Sequence, residues 1–346
     1  MLRQISFNDR DEWDDIVKSF DNYDVYYLNE YVDAFRIHGD GEPILFYFED
    51  NCTRAFNVAM LRDISLFWAF KNVIRPKTFY DLVTPYGYGG WIVEGRENNK
   101  LLIREYEEWC RNNSIISEFI RFNPVLRNHL FVDSFYEIVP LGETVAIDIT
   151  NKDGIWNNFS SKNRNVIRKA LNNGIQIKNG LSKAILKSFI EIYNRTMEKD
   201  NAEEYYYFED AFYASILNKL KDNATVFYAE LDNKIIAASL MIFANKKLNY
   251  HLSGSVKEFQ HLAPTNLLLF KTAEWGFDRG FQTFHLGGGL GSSEDGLFRF
   301  KRAFYKKELC RFYVGKKVYN QVVYDELVKI RGCSIEKPSF FPEYRG

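Results

Sequence analysis

Residues 284–305, FHLGGGLGSSEDGLFRFKRAFY, combine residue types that can bind and transfer a reactive group. The pattern predicts a strand that ends in Gly287, Gly288 and Gly289, followed by a polar loop. Glycines at a strand end let a ligand or another backbone approach closely, and ligands of open α/β sheets bind beyond strand ends. We therefore expect these glycines to contact a substrate. An ordinary surface loop is the alternative.

The cationic segment after this loop has a helical spacing. Arg299 and Arg302 lie about one turn apart, and so do Phe300 and Phe304. This spacing would bury the aromatic side chains while the arginines face a cleft, which makes Arg299 a candidate substrate-binding residue. The alternative is an amphipathic turn without a ligand.

The loop 84–91, TPYGYGGW, is rich in glycine and aromatic residues. Loops of this kind often line substrate clefts, so Tyr86, Tyr88 and Trp91 are candidate substrate-binding residues. Glu94 lies just beyond the loop and could accept a proton from an amine nucleophile. The alternatives are aromatic rings that pack on the core and a carboxylate that is simply solvated.

A basic helix is predicted over 160–169, SSKNRNVIRK, with Lys162, Arg164, Arg168 and Lys169 within about two turns. Basic helices can bind phosphate groups. Lys162, Arg164 and Arg168 are therefore candidate substrate-binding residues. A solvated helix face is the alternative.

The elements that must position these residues occur twice. Three pairs of segments, predicted as helices and hydrophobic hairpins, have similar sequences. They are 44–61 and 225–242, 106–120 and 272–286, and 33–35 and 210–212. Such repeats indicate a duplicated unit. The predicted fold class is therefore α/β with two tandem copies of one unit. A polar, turn-like stretch at 150–154 places the boundary between domains 1–150 and 151–346.

Composition limits the class of protein. The 346 residues are 46% hydrophobic and carry a net charge of −1, which suits two buried cores and, apart from a local basic patch, predicts neither a DNA partner nor membrane binding. Four separated cysteines, without a CxxC motif, indicate reduced thiols and no metal site: Cys52, Cys110, Cys310 and Cys333. The sequence has no signal peptide and no apolar run long enough to span a bilayer. A cytoplasmic protein without an integral membrane segment is therefore expected.

The paired units, the YGYGG loop, the SSKNRNVIRKALNNG helix and the LGGG…FRFKRAF segment together resemble the FemABX family. These bacterial aminoacyltransferases have two GNAT-like domains and build the cross-bridges of peptidoglycan. The resemblance covers most of the chain and is strongest over 225–305. It implies two tandem GNAT-like (acyl-CoA N-acyltransferase-like) domains. The first would lie on the acceptor side, and the second, with the C-terminal helix, would bind the acyl donor and carry catalysis.

The resemblance also implies roles for individual residues. The family has a Phe-Lys pair beside the transferred acyl group, which Phe300 and Lys301 match. Lys301 would stabilise the oxyanion that forms when an amine attacks the acyl group, and Phe300 would hold an ammonium group by a cation–π contact or exclude water. An acidic residue shortly after a Gly-Pro matches Glu94, with Trp91 in place of the proline. A basic residue that contacts the acceptor's phosphates in some members matches Arg36.

Two departures from the family pattern concern the substrates. The stretch 198–210, EKDNAEEYYYFED, is acidic where a second phosphate-binding arginine is expected, which argues against a nucleotide-linked acceptor. The turn that cradles CoA pyrophosphate in related acetyltransferases, Q/R-x-x-G-x-G/A, here reads QHLAPT over 260–265. Both glycines are absent and Pro264 has no N–H to donate, which argues against CoA as the donor.

Three functions remain open from the sequence. The first is transfer of an aminoacyl group from aminoacyl-tRNA to an amine of a cell-wall precursor, with tRNA as a partner and no tightly bound cofactor. The second is acetyl-CoA-dependent N-acetylation of an amino sugar or another small amine. The third is a non-catalytic module that holds a peptide or glycan. The first is preferred because the resemblance, the Phe-Lys pair and the poor CoA turn all favour it.

Overall fold

The computed structural model describes residues 1–95, 99–332 and 340–346. The chain divides into two units, of which the first comprises Met1–Leu141 and Phe312–Gly346 and the second comprises Gly142–Arg311. Cys333 lies outside the described residues. Within the described residues, Cys52, Cys110 and Cys310 are not joined in disulfides.

Strands and helices alternate along both units. Within the described residues the strands are, in chain order, β1 (Leu2–Ser6), β2 (Glu42–Glu49), β3 (Thr53–Asp63), β4 (Tyr80–Val83), β5 (Ile92–Gly95), β6 (Ile115–Arg121), β7 (Glu137–Asp148), β8 (Gln176–Gly180), β9 (Ala224–Leu231), β10 (Lys234–Ala244), β11 (Lys247–Ser255), β12 (Thr283–Gly287) and β13 (Cys310–Val318). The α-helices are α1 (Arg10–Ser19), α2 (Asn29–His38), α3 (Lys100–Asn112), α4 (Lys152–Asn158), α5 (Ser161–Asn172), α6 (Lys183–Lys199), α7 (Asp210–Asn218), α8 (Pro264–Asp278), α9 (Gly296–Arg302) and α10 (Gln321–Arg331).

Polar side chains begin several of these helices. Ser160, Ser182 and Asn320 each accept a hydrogen bond from the N–H three residues further on, at the starts of α5, α6 and α10. The first N–H groups of a helix have no partner inside it, so a short oxygen-bearing side chain at this position stabilises the helix start.

The sheet of the first unit has the strand order β1-β2-β3-β4-β6-β13, with β5 paired to β3. β2 and β3 form an antiparallel hairpin, and β4 pairs antiparallel with β3. β4 then pairs in parallel with β6, which is antiparallel to β13. One parallel pair therefore lies inside an otherwise antiparallel sheet.

The sheet of the second unit repeats this pattern in the order β8-β9-β10-β11-β12-β7. β9, β10 and β11 are antiparallel neighbours, β11 pairs in parallel with β12, and β12 is antiparallel to β7. The predicted α/β fold with an internal duplication is therefore confirmed.

Residues that the sequence repeat aligns make the same contact in both units. Phe46 on β2 meets Trp109 on α3 edge-on, with ring centroids 4.6 Å apart. Its counterpart Phe227 on β9 meets Trp275 on α8 edge-on at 5.3 Å. Each pair fastens the helix that precedes the parallel strand to the first strand of the hairpin, because large aromatic rings bury much apolar area in one contact.

The observed units differ from the predicted division at residue 150. The chain passes from the first unit to the second within β7 and returns within β13. The C-terminal helix α10 belongs to the first unit, where Tyr324 and Leu327 share an apolar cluster with Ile64 and Phe70. The reason is a strand exchange: β13 supplies the final strand beside β6, and β7 supplies the final strand beside β12. A contiguous 151–346 domain is therefore replaced by Gly142–Arg311.

A buried carboxylate organises the core of the first unit. Glu118 on β6 is 1% exposed and accepts hydrogen bonds from the hydroxyls of Tyr106, Tyr136 and Tyr319, at 2.9, 2.9 and 2.6 Å. Burial raises the pKa of the Glu118 carboxyl above its usual value, and the hydrogen bonds from the tyrosines oppose that rise. The three hydroxyls therefore offset part of the cost of placing an acid in the core.

A second buried carboxylate anchors the C-terminus. Asp81 on β4 accepts hydrogen bonds from Arg62 at 2.6 Å, from Arg345 at 2.5 Å and from the Tyr344 hydroxyl at 3.1 Å. Burial alone would favour the neutral acid, but the two guanidinium groups outweigh it and hold the pKa of Asp81 below its usual value. The last residues of the chain are thus part of the first unit's core.

We expect Tyr319→Phe to lower the free energy of unfolding by about 1–3 kcal/mol, because it removes a buried hydrogen bond to Glu118. The loss should be larger at pH 8 than at pH 5. An acid whose pKa is raised by folding destabilises the protein as pH rises, and one donor fewer raises that pKa further. Urea unfolding at both pH values measures the effect. Tyr207→Phe, outside this cluster, is the control, and equal losses in the two variants would contradict the assignment.

Candidate active site

Three glycines at the end of β12 let the chain pack closely on itself. Gly287 has a φ of +76°, in the left-handed region that favours glycine. A Cβ at Gly288 would lie 2.8 Å from the carbonyl oxygen of Glu143, and one at Gly289 would overlap the carbonyl of Ser293 and the carboxylate of Asp295. The observed close approach is to the protein's own atoms, and contact with a substrate stays a prediction.

Asp295 fixes the loop that these glycines begin. Its carboxylate accepts a hydrogen bond from the N–H of Phe298 at 2.8 Å and one from the N–H of Leu290 at 3.2 Å. The bond from Phe298 is the main cause that lowers the pKa of Asp295, so the group is an anion at neutral pH. One carboxylate thus closes the loop and begins α9.

Helix α9 places the ammonium group of Lys301 in the interior of the second unit. The residue is 8% exposed, and its Nζ donates a hydrogen bond to the carbonyl oxygen of Gly288 at 2.7 Å. Burial lowers the pKa of Lys301 to about 8, with the charge of Asp295 acting in the opposite direction. With a pKa of about 8, Lys301 is mostly protonated at neutral pH, and it can release its proton at a slightly higher pH.

Lys301 lies where two parallel strands stop pairing. β11 and β12 pair only over Lys247–Asn249 and Thr283–His285. Tyr250 follows the last paired position of β11, and its ring centroid is 5.8 Å from the Lys301 Nζ. Because Nζ also bonds to Gly288, just beyond β12, the ammonium group links the two strands where they diverge.

Hydroxyl groups surround this point of divergence. The hydroxyl oxygens of Ser239 on β10 and Ser253 on β11 are 2.8 Å apart. Burial raises the pKa of the Tyr250 hydroxyl, and these two serines act in the opposite direction. His285 on β12 is 3% exposed, and burial, together with the charge of Lys301, lowers its pKa to about 3. The ammonium group of Lys301 therefore lies near neutral hydroxyl and imidazole groups, and Asp295 supplies the nearby negative charge. A buried cation of this kind suits stabilisation of a developing oxyanion.

The remaining side chains of the cationic segment are held by the protein itself. Phe300 packs edge-on against the buried Phe304 at 5.4 Å, so the predicted aromatic stripe is present. Arg299 is exposed and donates to the carbonyl of Glu294 at 2.9 Å. Arg302 donates to the carbonyls of Lys306 and Lys307 and so serves the local turn. Substrate contacts of Phe300 and Arg299 stay predictions.

The start of α8 lies at the sequence position that matches the CoA pyrophosphate turn of related acetyltransferases. Pro264 is its first residue, and the preceding Ala263 has a φ of +56°. A proline at this position contributes no N–H group, and a positive φ is costly for alanine. This helix start therefore offers fewer donors to a pyrophosphate than a glycine-rich turn would.

Some of the basic side chains of helix α5 contact the protein itself, and others are exposed. Lys162 is exposed. Arg164 donates to the carbonyl of Phe159 at 2.8 Å, and the Arg168 guanidinium lies over the Trp156 ring at 5.2 Å. Phosphate binding by these three residues stays a prediction.

In the first unit, the glycine-rich loop is a tightly packed turn. A Cβ at Gly87 would lie 2.5 Å from the Tyr26 ring, and the side chain of Asn128 donates to the carbonyl of Gly89 at 2.8 Å. Tyr86 stacks on Phe35, and Tyr88 is edge-on to Tyr26. Both tyrosines are half-buried, so one side of each ring can still meet a ligand.

Trp91 differs from these tyrosines and corrects one prediction. Its ring is 1% exposed, lies edge-on to Tyr106 at 4.9 Å and donates to the hydroxyl of Tyr136 at 3.3 Å. The side chain is part of the first unit's core, where it reaches no surface. Its size and apolar area explain this placement better than substrate binding does.

Glu94 is paired within the first unit. One of its oxygens accepts two hydrogen bonds from the guanidinium of Arg54, at 2.6 and 2.9 Å, and the other accepts from the N–H of Asp21 at 2.7 Å. Arg54 and Glu94 are opposite each other in the β3–β5 pair. Both oxygens of the Glu94 carboxylate thus have partners within the first unit. The role of Glu94 as a base stays a prediction.

Arg36 borders a cavity of about 340 Å³, lined also by Gln4, Ser6 and Glu42. Its guanidinium donates to the buried carboxylate of Asp33 at 2.7 and 3.0 Å. Asp33 therefore neutralises part of the charge that an acceptor phosphate would need. The predicted phosphate contact of Arg36 remains open.

Sequence reasoning missed the residues that surround Lys301. Tyr250, Ser239 and Asp295 carry no motif, because their role arises from strand pairing and from one helix cap. Asp295 did leave a signal, since an aspartate three residues before Phe298 at a predicted helix start is typical of an N-cap.

The fold and this site are those of proteins with GNAT-like domains. A family model described as an acetyltransferase (GNAT) domain matches residues 160–302, which include β11, β12 and α9. A tandem GNAT protein from the clavulanic acid biosynthesis pathway has a TM-score of 0.50 and 9% identity, covering 92% of this chain and 99% of that one. The predicted tandem GNAT-like architecture is thus confirmed.

Two further matches are to a structure and to a sequence relative. The crystal structure of FemX superposes with a TM-score of 0.67 and 15% identity, covering 94% of this chain and 99% of that one. UDP-N-acetylmuramoylpentapeptide-lysine N(6)-alanyltransferase of Weissella viridescens is 24% identical over 226 residues, or 60% of this chain. The match spans 65% of the length of that relative. The chain is therefore FemX-like in fold, as the sequence resemblance predicted.

We expect Gly289→Ala to lower the free energy of unfolding of the second unit by at least about 1 kcal/mol, because the added Cβ displaces Ser293 or the Asp295 cap. Gly296→Ala is the matched control, since a Cβ there meets no atom within 4 Å. Calorimetric melting of both variants tests this, and the same melting temperature for the two would contradict the packing argument.

Lys301→Met should change how stability depends on pH. The pKa of Lys301 falls from 10.5 to about 8 on folding, so burying the protonated lysine lowers the free energy of unfolding. That penalty disappears as the lysine deprotonates. The stability of the wild type should therefore rise relative to the variant between pH 8 and 10.5. The relative gain is on the order of 3 kcal/mol when complete. Denaturant unfolding from pH 7 to 10 measures it. Lys187→Met, at an exposed position of α6, should show a flat difference.

Proposed function

We propose that this protein is an N-acyltransferase that moves an aminoacyl group from aminoacyl-tRNA to an amine of a cell-wall precursor. The observation that carries the proposal is the buried ammonium group of Lys301, bonded to Gly288 where β11 and β12 diverge. The FemX-like fold supports it, and so does the sequence relative named for alanyl transfer to a lysine of a muramoyl pentapeptide.

The proposed chemistry is attack of the amine nitrogen on the ester carbonyl of the donor. A C–N bond forms, the carbonyl electrons move onto oxygen, and the C–O bond to the ribose then breaks. Lys301 stabilises the transient oxyanion, and the amine proton ends on the ribose hydroxyl that leaves. The ester is already activated, so orientation of the amine and charge stabilisation supply most of the rate.

Other predicted residues take supporting roles in this proposal. Phe300 shields the reacting carbonyl from water, and the basic helix α5 meets the phosphates of the donor. Tyr86, Tyr88 and Arg36 belong to the first unit, which we assign to the acceptor. These substrates are made in the cytoplasm, which is where the enzyme is proposed to work.

Acetyl-CoA-dependent N-acetylation is the second candidate, because the matched family model is described as an acetyltransferase domain. The start of α8 is unfavourable for CoA, because Pro264 has no backbone N–H to donate to a pyrophosphate group. Offering alanyl-tRNA and acetyl-CoA separately, with a lysine-containing muramoyl pentapeptide or an amino sugar as acceptor, distinguishes the two. Turnover of acetyl-CoA alone would overturn the aminoacyl proposal.

Lys301→Met should reduce kcat of aminoacyl transfer by about 10²–10³-fold while KM for the donor changes little, because the ammonium acts on the transition state. The wild-type rate should fall as pH rises through about 8, where Lys301 loses its proton. Lys301→Arg should keep its charge at higher pH. Steady-state kinetics from pH 6 to 9.5 provide the measurement, with Lys187→Met as control. A wild-type rate in the Met variant would remove Lys301 from the mechanism.

A further inference from the structure

A segment of the first unit exposes large apolar side chains without a covering element among the described residues. Between β3 and β4, Leu66, Trp68 and Val73 are 78%, 67% and 59% exposed. Exposed large apolar side chains that cluster in one short segment usually mark an interaction surface.

The same segment is anchored from its inner side. Ile64 and Phe70 are fully buried in an apolar cluster, and Phe67 and Ile74 pack against it. Successive hydrogen bonds from the N–H groups of Phe70 and Ile74, to the carbonyls of Phe67 and Phe70, wind the segment into consecutive turns. The outward residues are therefore held on a rigid base, and their exposure is a property of the fold.

Cations are interleaved with the outward apolar residues. Lys71, Arg75 and Lys77 are all exposed, and 64–77, ISLFWAFKNVIRPK, contains no acidic residue. We name the set Leu66, Trp68, Lys71, Val73, Arg75 and Lys77 the basic–apolar patch. The patch carries three positive charges in a chain whose net charge is −1.

The last turn of α10 extends the patch. The Arg331 guanidinium lies over the Trp68 ring, 4.5 Å from its centroid, and the neighbouring Ile330 is 47% exposed. Lys329 is exposed on the same turn. The acidic residues of this helix, Asp325 and Glu326, lie one turn before Lys329 and border the patch.

We infer that the basic–apolar patch docks the protein on the surface of an anionic lipid bilayer. Trp favours the boundary between headgroups and acyl chains, apolar side chains enter it, and Lys and Arg are attracted to anionic lipids. A protein partner fits less well, because the cores of protein interfaces are depleted of lysine. None of the described helices is long and apolar enough to cross a membrane.

Co-sedimentation with vesicles tests the inference. The wild-type protein should bind vesicles of mixed phosphatidylcholine and phosphatidylglycerol, bind pure phosphatidylcholine much more weakly, and dissociate at high salt. Leu66→Ser/Trp68→Ser and Lys71→Glu/Arg75→Glu should each weaken binding at least about tenfold. The fluorescence of Trp68 should shift to the blue on binding, a shift that the Trp68 variant loses.

Matched controls keep the outcome specific. Leu130→Ser/Leu171→Ser removes two other exposed leucines, and Lys183→Glu/Lys187→Glu makes the same charge change on α6. Both should bind like the wild type. Equal loss in these controls, or no binding of the wild type to the anionic vesicles, would overturn the inference. So would self-association without lipid that Trp68→Ser abolishes, since that would make a second copy the partner.

The inference is independent of the proposed function. Aminoacyl transfer to a water-soluble acceptor should proceed at the wild-type rate in both patch variants, because neither touches Lys301 or its surroundings. Loss of vesicle binding with full transfer supports the docking role. Loss of transfer in Lys301→Met with full vesicle binding supports the proposed function alone.

Discussion

The cost of burying one ammonium group shapes the candidate site. A charge in the interior must be offset by nearby dipoles, and Lys301 obtains this from the carbonyl of Gly288 and from the field of Asp295. That arrangement requires a chain without side chains after β12, a loop closed by a carboxylate and a short helix that begins at it. Gly288 supplies the carbonyl that accepts from the ammonium group, and Gly289 leaves room for the carboxylate of Asp295.

Sequence reasoning succeeded where the information is local or repeated. The repeated segments, which align Phe46 with Phe227 and Trp109 with Trp275, predicted the duplication. The spacing of Phe300 and Phe304 predicted an aromatic stripe. It did not separate Trp91 from Tyr86 and Tyr88, because one loop sends its rings both to the core and to the surface. The partner of Glu94 also stayed hidden, since Arg54 is opposite it only through strand pairing.

The two units differ in how they use their charged groups. In the first, Glu118 and Asp81 are enclosed by tyrosines and arginines from distant parts of the chain, so these acids hold the sheet, the C-terminus and their neighbours in place. In the second, the buried charge is a cation with one carbonyl partner among the described residues and hydroxyl groups nearby. The buried structural acids and the cation proposed to stabilise an oxyanion thus lie in different units.

The exchange of final strands bears on how the protein is made. Ribosomes release the chain from its N-terminus, yet the first unit receives β13 only after residue 318 has emerged, whereas the second unit already has β7 and needs only β12, which ends at residue 287. The unit that is synthesised first therefore completes its sheet last. Until then β6 is an open edge, of the kind that pairs with other chains and that nascent proteins must shield.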